Sequence, residues 1–207
     1  YAGSVLSMSA GSEVIGGLAG AGSVTTNALA GNLNVGANNA DSVFSGTLAE
    51  ASGFALSLTK VGTGTQTFAG TNTNTGTLTV NSGTVVLAGT GTWSGLTLSG
   101  GNVTVTASQS NSGNITINSG STLTLADTGK LYNSAYNNAG IITVNTGGVW
   151  TMPNWSYSGV GQLADYSARR VLAGGQITVT GDSHSSGQDF TVNAITGGTF
   201  AYNPVNA

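Results

Sequence analysis

The residues whose types could support hydrolytic chemistry stand side by side in one short segment. Asp182, Ser183 and His184 follow one another directly, and His184 is the only histidine of the chain. In a Ser-His-Asp triad the base approaches the hydroxyl while the acid holds the base from its far side, which normally requires residues from distant parts of the chain. Adjacent residues do not provide that arrangement, so we interpret this segment as a polar turn.

The carboxylates are too dispersed for most metal sites and for the cleavage of polysaccharides. The acidic residues are Glu13, Asp41, Glu50, Asp127, Asp165, Asp182 and Asp189. Cleavage of a glycosidic bond requires clustered carboxylates or a basic group beside the scissile sugar. Asp182 and Asp189 could share one ion with backbone carbonyls, but the pattern favours a chain without enzymatic activity, cofactor or metal. The alternative hypothesis is a carbohydrate-active solenoid, either a polysaccharide lyase or a tailspike-like glycosidase.

Aromatic residues are concentrated in one region, which is the candidate binding surface. Tyr and Trp residues between positions 132 and 157 are Tyr132, Tyr136, Trp150, Trp155 and Tyr157. Exposed rings suit a glycan or a protein partner, so Tyr132, Tyr136, Trp155 and Tyr157 are candidate contacts for a surface glycan or a cell-surface protein. The alternative is that these rings stack inside widened coils or cover a loop.

Charge and composition exclude several classes of partner. Lys and Arg together number four and the formal net charge is −3, so the chain has little with which to neutralise a phosphate backbone and should not bind nucleic acid. The uncharged run 14–40 is too rich in Gly, Ala, Ser and Asn to cross a bilayer. Because no signal-peptide pattern begins at Tyr1, the sequence looks like a mature or excised segment.

Composition and spacing predict an all-β fold that positions these residues. Charged residues make up 5% of the chain, against about a quarter in ordinary domains, while Gly numbers 34 and Pro only 2. Between residues 56 and 87, apolar residues alternate with Thr and Ser in short runs that end in Gly, Asn or Ser, which is typical of short strands joined by tight turns.

A repeated phrase extends that pattern along the chain. Full copies of Gly-x-Leu/Ile-Thr-Val/Ile-Asn begin at Gly76, Gly113 and Gly140, and shortened versions begin at Gly95 and Gly175, with intervals in chain order of 19, 18, 27 and 35 residues. Second strands are predicted at 84–87, 102–106, 121–125 and 148–152. We therefore expect a parallel β-helix, or β-solenoid, of roughly ten coils with loop insertions. In that solenoid, equivalent inward positions are expected for Leu78, Ile115 and Ile142, and a stacked ladder for Asn81, Asn118 and Asn145.

The segment 58–83 resembles a known repeat. Its order of Leu58, Lys60, Gly62, Gly64, Phe68, Gly70, Asn72, Gly76, Leu78, Val80 and Gly83 is similar to the strand repeat associated with bacterial autotransporter passenger domains. Residues 17–24 and 42–48 are similar to the segments that usually precede it. Family members usually carry an aromatic residue two positions before the glycine at 76, where this chain has Asn74. The resemblance implies a right-handed parallel β-helix that is secreted or exposed on the bacterial cell surface.

The function expected from these features is that of a non-enzymatic structural element or adhesin. We expect one solenoid domain over 1–207, with irregular N-terminal coils or a cap over 1–55 and repeated coils over 56–207. A short helix at 12–18 is one form that such a cap could take.

The ends of a solenoid carry unpaired strands and an open core. We expect copies to associate end to end or edge to edge into a fibre or layer, through strands that contain Val5, Leu6, Phe190, Val192, Phe200 and Tyr202. The alternative is a fragment of a longer solenoid, whose neighbouring coils provide the caps.

Overall fold

The computed structural model describes residues 3–9, 11–27, 29–51, 53–126, 130–132, 141–152, 169–179, 194–195 and 197–202, and the regular structure in these ranges is all strand, without helix. The strands in chain order are β1 (Val5–Met8), β2 (Gly11–Ile15), β3 (Ser23–Thr26), β4 (Gly31–Val35), β5 (Ser42–Phe44), β6 (Thr47–Leu48), β7 (Leu56–Lys60), β8 (Thr65–Phe68), β9 (Thr77–Val80), β10 (Thr84–Leu87), β11 (Gly91–Trp93), β12 (Gly95–Leu98), β13 (Asn102–Val105), β14 (Ser108–Asn111), β15 (Ile115–Ile117), β16 (Thr122–Leu125), β17 (Lys130–Tyr132), β18 (Ile141–Asn145), β19 (Val149–Met152), β20 (Arg169–Ala173), β21 (Gln176–Val179), β22 (Ala194–Ile195) and β23 (Thr199–Tyr202).

These strands stack into the parallel sheets of a β-solenoid. A nine-stranded sheet has the order β2-β4-β7-β9-β12-β15-β18-β20-β22, and an eight-stranded sheet has the order β5-β8-β10-β13-β16-β19-β21-β23. A third side, which we call the third sheet, consists of β1-β3-β6 and β11-β14-β17, joined through bridges from Asn72 to Leu48 and Gly91. The predicted fold class is confirmed.

The number of coils is lower than the sequence predicted. Over the described residues the solenoid has about seven turns, against the roughly ten expected, because several turns are long. Leu78 pairs with Leu96, 18 residues later, whereas Ile142 pairs with Arg170, 28 residues later. The rise along the stack is set by the spacing of about 4.8 Å between strands and not by the length of a turn, so nine strands span roughly 40 Å.

Alternation within each strand produces the core. In the nine-stranded sheet, Leu78, Leu96 and Ile115 lie above one another in register, and Ile142 occupies the next position of that column. The side chains of the first three are buried, which confirms the inward positions of Leu78 and Ile115, and Ile142 has the predicted register. The intervening positions form an outward ladder of threonines: Thr59, Thr79, Thr97, Thr116 and Thr143.

Glycines form a tight corner between the eight-stranded sheet and the third sheet. A Cβ on Gly70 would lie 1.8 Å from the carbonyl oxygen of Gly46, and a Cβ on Gly89 would lie 1.8 Å from that of Gly70. Gly46 stands in the same relation to Gly22, also at 1.8 Å. The coils therefore stack at their normal spacing only because no side chain is present at this corner.

Two details of the sequence interpretation need correction. Residues 11–15 form β2, so the alternative of a helix at 12–18 is wrong. The phrase that begins at Gly175 contains β21, which pairs with β19 in the eight-stranded sheet. It is therefore not a copy of the other phrases, whose strands lie in the nine-stranded sheet. The strand of the nine-stranded sheet in that coil is β20, which begins with Arg169 and Arg170. The arginines are followed by the apolar residues Val171, Leu172 and Ala173, which favour a strand.

The predicted asparagine ladder is present in part. Asn145 donates a hydrogen bond of 2.8 Å from its side-chain amide to the side-chain oxygen of Asn118 on the neighbouring coil. Asn81 is separated from Asn118 by the coil that carries Ser99, since Val80, Leu98 and Ile117 share one column. The ladder therefore joins two residues and not three.

Candidate functional site

Two of the carboxylates that the structure describes, those of Asp41 and Glu50, bind the backbone. Glu50 accepts hydrogen bonds from the backbone nitrogen and the hydroxyl of Thr75, each at 2.8 Å, and a longer one from the backbone nitrogen of Leu56. Asp41 accepts one of 2.6 Å from the backbone nitrogen of Thr65. Among the described residues no group of three His, Cys, Asp or Glu could hold a metal ion. Asp182, Ser183, His184 and Asp189 lie outside those residues.

Lys60 is a buried ionisable residue that sequence reasoning used only as part of a motif. Its side chain is 0% exposed and occupies the inward column between Val35 and Val80. Its ammonium donates hydrogen bonds to the carbonyl oxygens of Val61 at 2.6 Å and Gly62 at 2.8 Å. Burial lowers the pKa of Lys60, and the negative charge of Asp41 opposes that change. The ammonium therefore holds the turn that follows β7.

The predicted aromatic contacts are only partly within the described residues. Tyr132 is the last residue of β17, in register with Ser110. Tyr136, Trp155 and Tyr157 lie outside the described residues, so their role as contacts remains a prediction. Trp150 is fully buried in β19, in the inward column between Leu123 and Ile177, as the core interpretation of that ring requires.

The interior of the third sheet includes buried polar side chains, which sequence reasoning missed. Its inward column runs through Leu48, Asn72, Gly91, Gln109 and Leu131. The Asn72 amide donates to the carbonyl oxygen of Thr92 at 3.1 Å. The Gln109 side chain accepts from the indole nitrogen of Trp93 at 3.2 Å and donates to the carbonyl oxygen of Gly89. Both carboxamides are thus fixed by bonds to the framework.

A surface pocket lies where Gly91 interrupts that column. The pocket has a volume of about 320 Å³. The carboxamides close in on Gly91 itself, since a Cβ there would lie 2.6 Å from the side-chain oxygen of Gln109 and 3.1 Å from the Cβ of Asn72. The residues that line it besides Gly91 are Asn72, Thr90, Thr92, Ser108, Gln109 and Ser110. The lining residues carry no charge, and the carboxamides of Asn72 and Gln109 are buried beneath the surface. We call it the Gly91 pocket.

The edge strands carry exposed apolar residues. In β1, Val5 is 62% exposed and Leu6 39% exposed, although Leu6 occupies an inward position in register with buried Val24. At the opposite edge, Phe200 occupies an inward position in register with Ile177 and is 44% exposed. Tyr202 is the last residue of β23, and Phe190 and Val192 lie outside the described residues. Within the described ranges, no strand pairs with the outer edge of β1, β2 or β23.

Comparisons with known proteins do not identify a family for this chain. No protein-family model, curated protein or solved structure matches the chain. In the part of the chain that the structure describes, no helix is long and apolar enough to cross a membrane.

Proposed function

We propose that this chain is a non-enzymatic structural and adhesive rod, secreted or exposed on the bacterial cell surface, whose copies join end to end. The observation that carries the proposal is the pair of matching sheet edges. The nine-stranded sheet begins at β2 and ends at β22, and these edges can pair in the same parallel register that joins the internal coils.

The exposed apolar side chains at the edges favour a second copy as the partner. Leu6 and Phe200 occupy inward positions, so an added coil would remove both from water while extending the core. Contacts of this head-to-tail kind do not close on themselves and produce open filaments. A strand of one copy would then complete the sheet of the next.

Three of the described ionisable groups also favour a structural role. Asp41 and Glu50 bind backbone amides, and the Lys60 ammonium binds backbone carbonyls inside the core. These groups are occupied by the fold and are not gathered around a cleft. The similarity of residues 58–83 to the autotransporter passenger repeat supports export and a place outside the cell.

Two measurements test this function. Sedimentation velocity over a wide concentration range, with negative-stain microscopy, should show rods that lengthen as the concentration rises. Monodisperse monomers at every concentration would oppose the proposal. Protease treatment of intact cells that express the full-length gene product should degrade it, and protection from the protease would contradict exposure at the surface.

A further inference from the structure

We propose that Glu13 makes the end-to-end association of this chain dependent on pH, so that copies join more tightly as the solution becomes acidic. The inference rests on the proposed function and adds the regulation of that same junction. Glu13 lies in β2, the N-terminal edge strand of the nine-stranded sheet. Its side chain is exposed there, and a copy stacked on this edge would cover it.

Glu13 occupies the outer end of an apolar column. Its register partner is Leu33, which is followed in the same column by Leu58 and Leu78. These three leucines are buried. The column therefore changes from leucine to a carboxylate at the edge of the sheet.

Alternation along β2 places the Glu13 side chain on the inward side. Ile15, two residues later, packs against the core. The intervening positions face outward, since the hydroxyl of Ser12 accepts a hydrogen bond of 2.7 Å from the side-chain amide of Asn34, the residue that follows buried Leu33 in β4. The same amide donates a bond of 3.0 Å to the backbone oxygen of Glu13. These bonds hold β2 with Ser12 outward, and successive side chains of a strand point to opposite faces.

The cost of covering this edge depends on the protonation of the carboxyl group. A stacked copy would place its strand about 4.8 Å from β2 and take the Glu13 carboxyl group out of water. Burial costs an ionised carboxylate much more free energy than it costs a neutral carboxylic acid. Inward-pointing charges are one means by which edge strands resist further pairing. The ionised form therefore opposes the junction, and protonation removes that opposition without changing the register.

The described surroundings of β2 offer Glu13 no countercharge. Strands β1, β3 and β4 contain no ionisable residue, and neither does β22, the strand that a stacked copy would bring to this edge. The other ionisable side chains that the structure describes are Asp41, Glu50 and Lys60. Each of these binds backbone atoms in or after β7, so their charges are engaged elsewhere in the fold.

The arginines near the C-terminal edge lie one strand further in. Arg169 and Arg170 begin β20, which pairs with β22. In a stacked pair, two strand spacings, about 10 Å, would therefore separate their positions from that of Glu13. An ion pair requires about 4 Å between its charged atoms, so β22 keeps the arginines and the carboxyl group in separate layers.

Sedimentation velocity of the full chain at pH 7 and at pH 5 tests the inference. Both pH values lie above about pH 4, where exposed carboxyl groups take up protons, so the carboxylates that bind the backbone stay ionised. Uptake of one proton per junction changes the association constant by up to about tenfold per pH unit. We expect the association constant to rise by between about tenfold and hundredfold from pH 7 to pH 5. Association that is equally strong at the two pH values, or weaker at pH 5, would overturn the inference.

Variants assign the response to this one side chain. Glu13→Gln keeps the size of the side chain and removes its charge, so it should associate about tenfold more tightly at pH 7 than the unchanged chain and respond little to pH. The matched control combines Glu13→Gln with Val14→Glu, which moves the carboxylate by one residue to the outward face, where water still reaches it. Its association should also respond little to pH.

Two outcomes separate this inference from the proposed function. A pH response in Glu13→Gln as large as in the unchanged chain would come from another group, such as His184. That result would overturn the inference and leave the end-to-end association standing. Monomers at both pH values, in the unchanged chain and in Glu13→Gln alike, would overturn both the inference and the association on which it rests.

Discussion

Val14 and Ala194 occupy the same column of the nine-stranded sheet, one at each edge. Register connects them through Asn34, then the threonine ladder from Thr59 to Thr143, and finally Val171. Val14 is 64% exposed. If two copies stack head to tail, these positions become neighbours across the junction, and the ladder continues from one copy into the next.

The first prediction concerns charge at the N-terminal edge. Leu6→Lys and Val14→Lys together should abolish end-to-end association, because lysines on an edge strand oppose the pairing of further strands. The control is Thr79→Lys, which places the same charge in the middle of the nine-stranded sheet. Sedimentation velocity should show monomers for the edge variant and assemblies for the control. Equal assembly of both variants would show that this edge takes no part.

The second prediction concerns the inward column of the nine-stranded sheet. Ile115→Asp should lower the free energy of unfolding by more than about 3 kcal/mol, because it buries an unpaired carboxylate, whereas Ile115→Val should cost only about 0.5–1.5 kcal/mol. The control Thr116→Asp changes the adjacent outward position and should cost about 1 kcal/mol or less. Urea denaturation measures all three values. A cost for Thr116→Asp as large as that for Ile115→Asp would contradict the assigned faces.

The third prediction tests the glycine corner. Gly70→Ala places a Cβ 1.8 Å from a backbone oxygen, so the coils must separate locally, and we expect a loss of more than about 2 kcal/mol. In Gly95→Ala the nearest atom to the new Cβ lies at 3.5 Å, and stability should stay within about 1 kcal/mol of the unchanged chain. Thermal unfolding of both variants provides the comparison. Similar midpoints would mean that the corner tolerates a side chain.

The fourth prediction concerns pH and Lys60. Burial lowers the pKa of this ammonium in the folded chain below the ordinary value of 10.5. Between the lowered value and 10.5 the unfolded chain binds more protons than the folded one, so the free energy of unfolding should rise with pH in that window. Urea denaturation at several pH values should show this rise for the unchanged chain relative to Lys60→Met. Parallel pH profiles for the two chains would contradict a lowered pKa.

The strands of the two long sheets could be predicted from the sequence because their inward positions are apolar. Leu78, Leu96 and Ile115 alternate with threonines, and that period identifies both the strand and its buried face. The second strands are also close to their predicted bounds, since β10 spans Thr84–Leu87 and β19 spans Val149–Met152. Hydrophobic alternation was sufficient to predict the strands and their buried faces wherever the core is hydrophobic.

The third sheet and its pocket could not be predicted in the same way. The inward residues Asn72, Gly91 and Gln109 carry no hydrophobic signal, so β11 and β14 resemble polar loops in the sequence. Their burial becomes favourable only because bonds to Thr92, Trp93 and Gly89 satisfy the carboxamides, and those partners come from other positions of the solenoid. Burial of Lys60 in an apolar column depends likewise on carbonyls that face inward after the chain turns.

The central claim, head-to-tail stacking in register, can be measured directly by disulfide formation between copies. The chain has no cysteine, so Val14→Cys in one copy and Ala194→Cys in another introduce single thiols. Stacked strands lie about 4.8 Å apart, within the range of roughly 4.4–6.8 Å over which a disulfide joins two Cα atoms. Mild oxidation of the mixture should produce a disulfide-linked dimer that contains one copy of each variant. A mixture of Thr79→Cys and Ala194→Cys should produce none, and equal linkage in the two mixtures, or none in the first, would contradict the account.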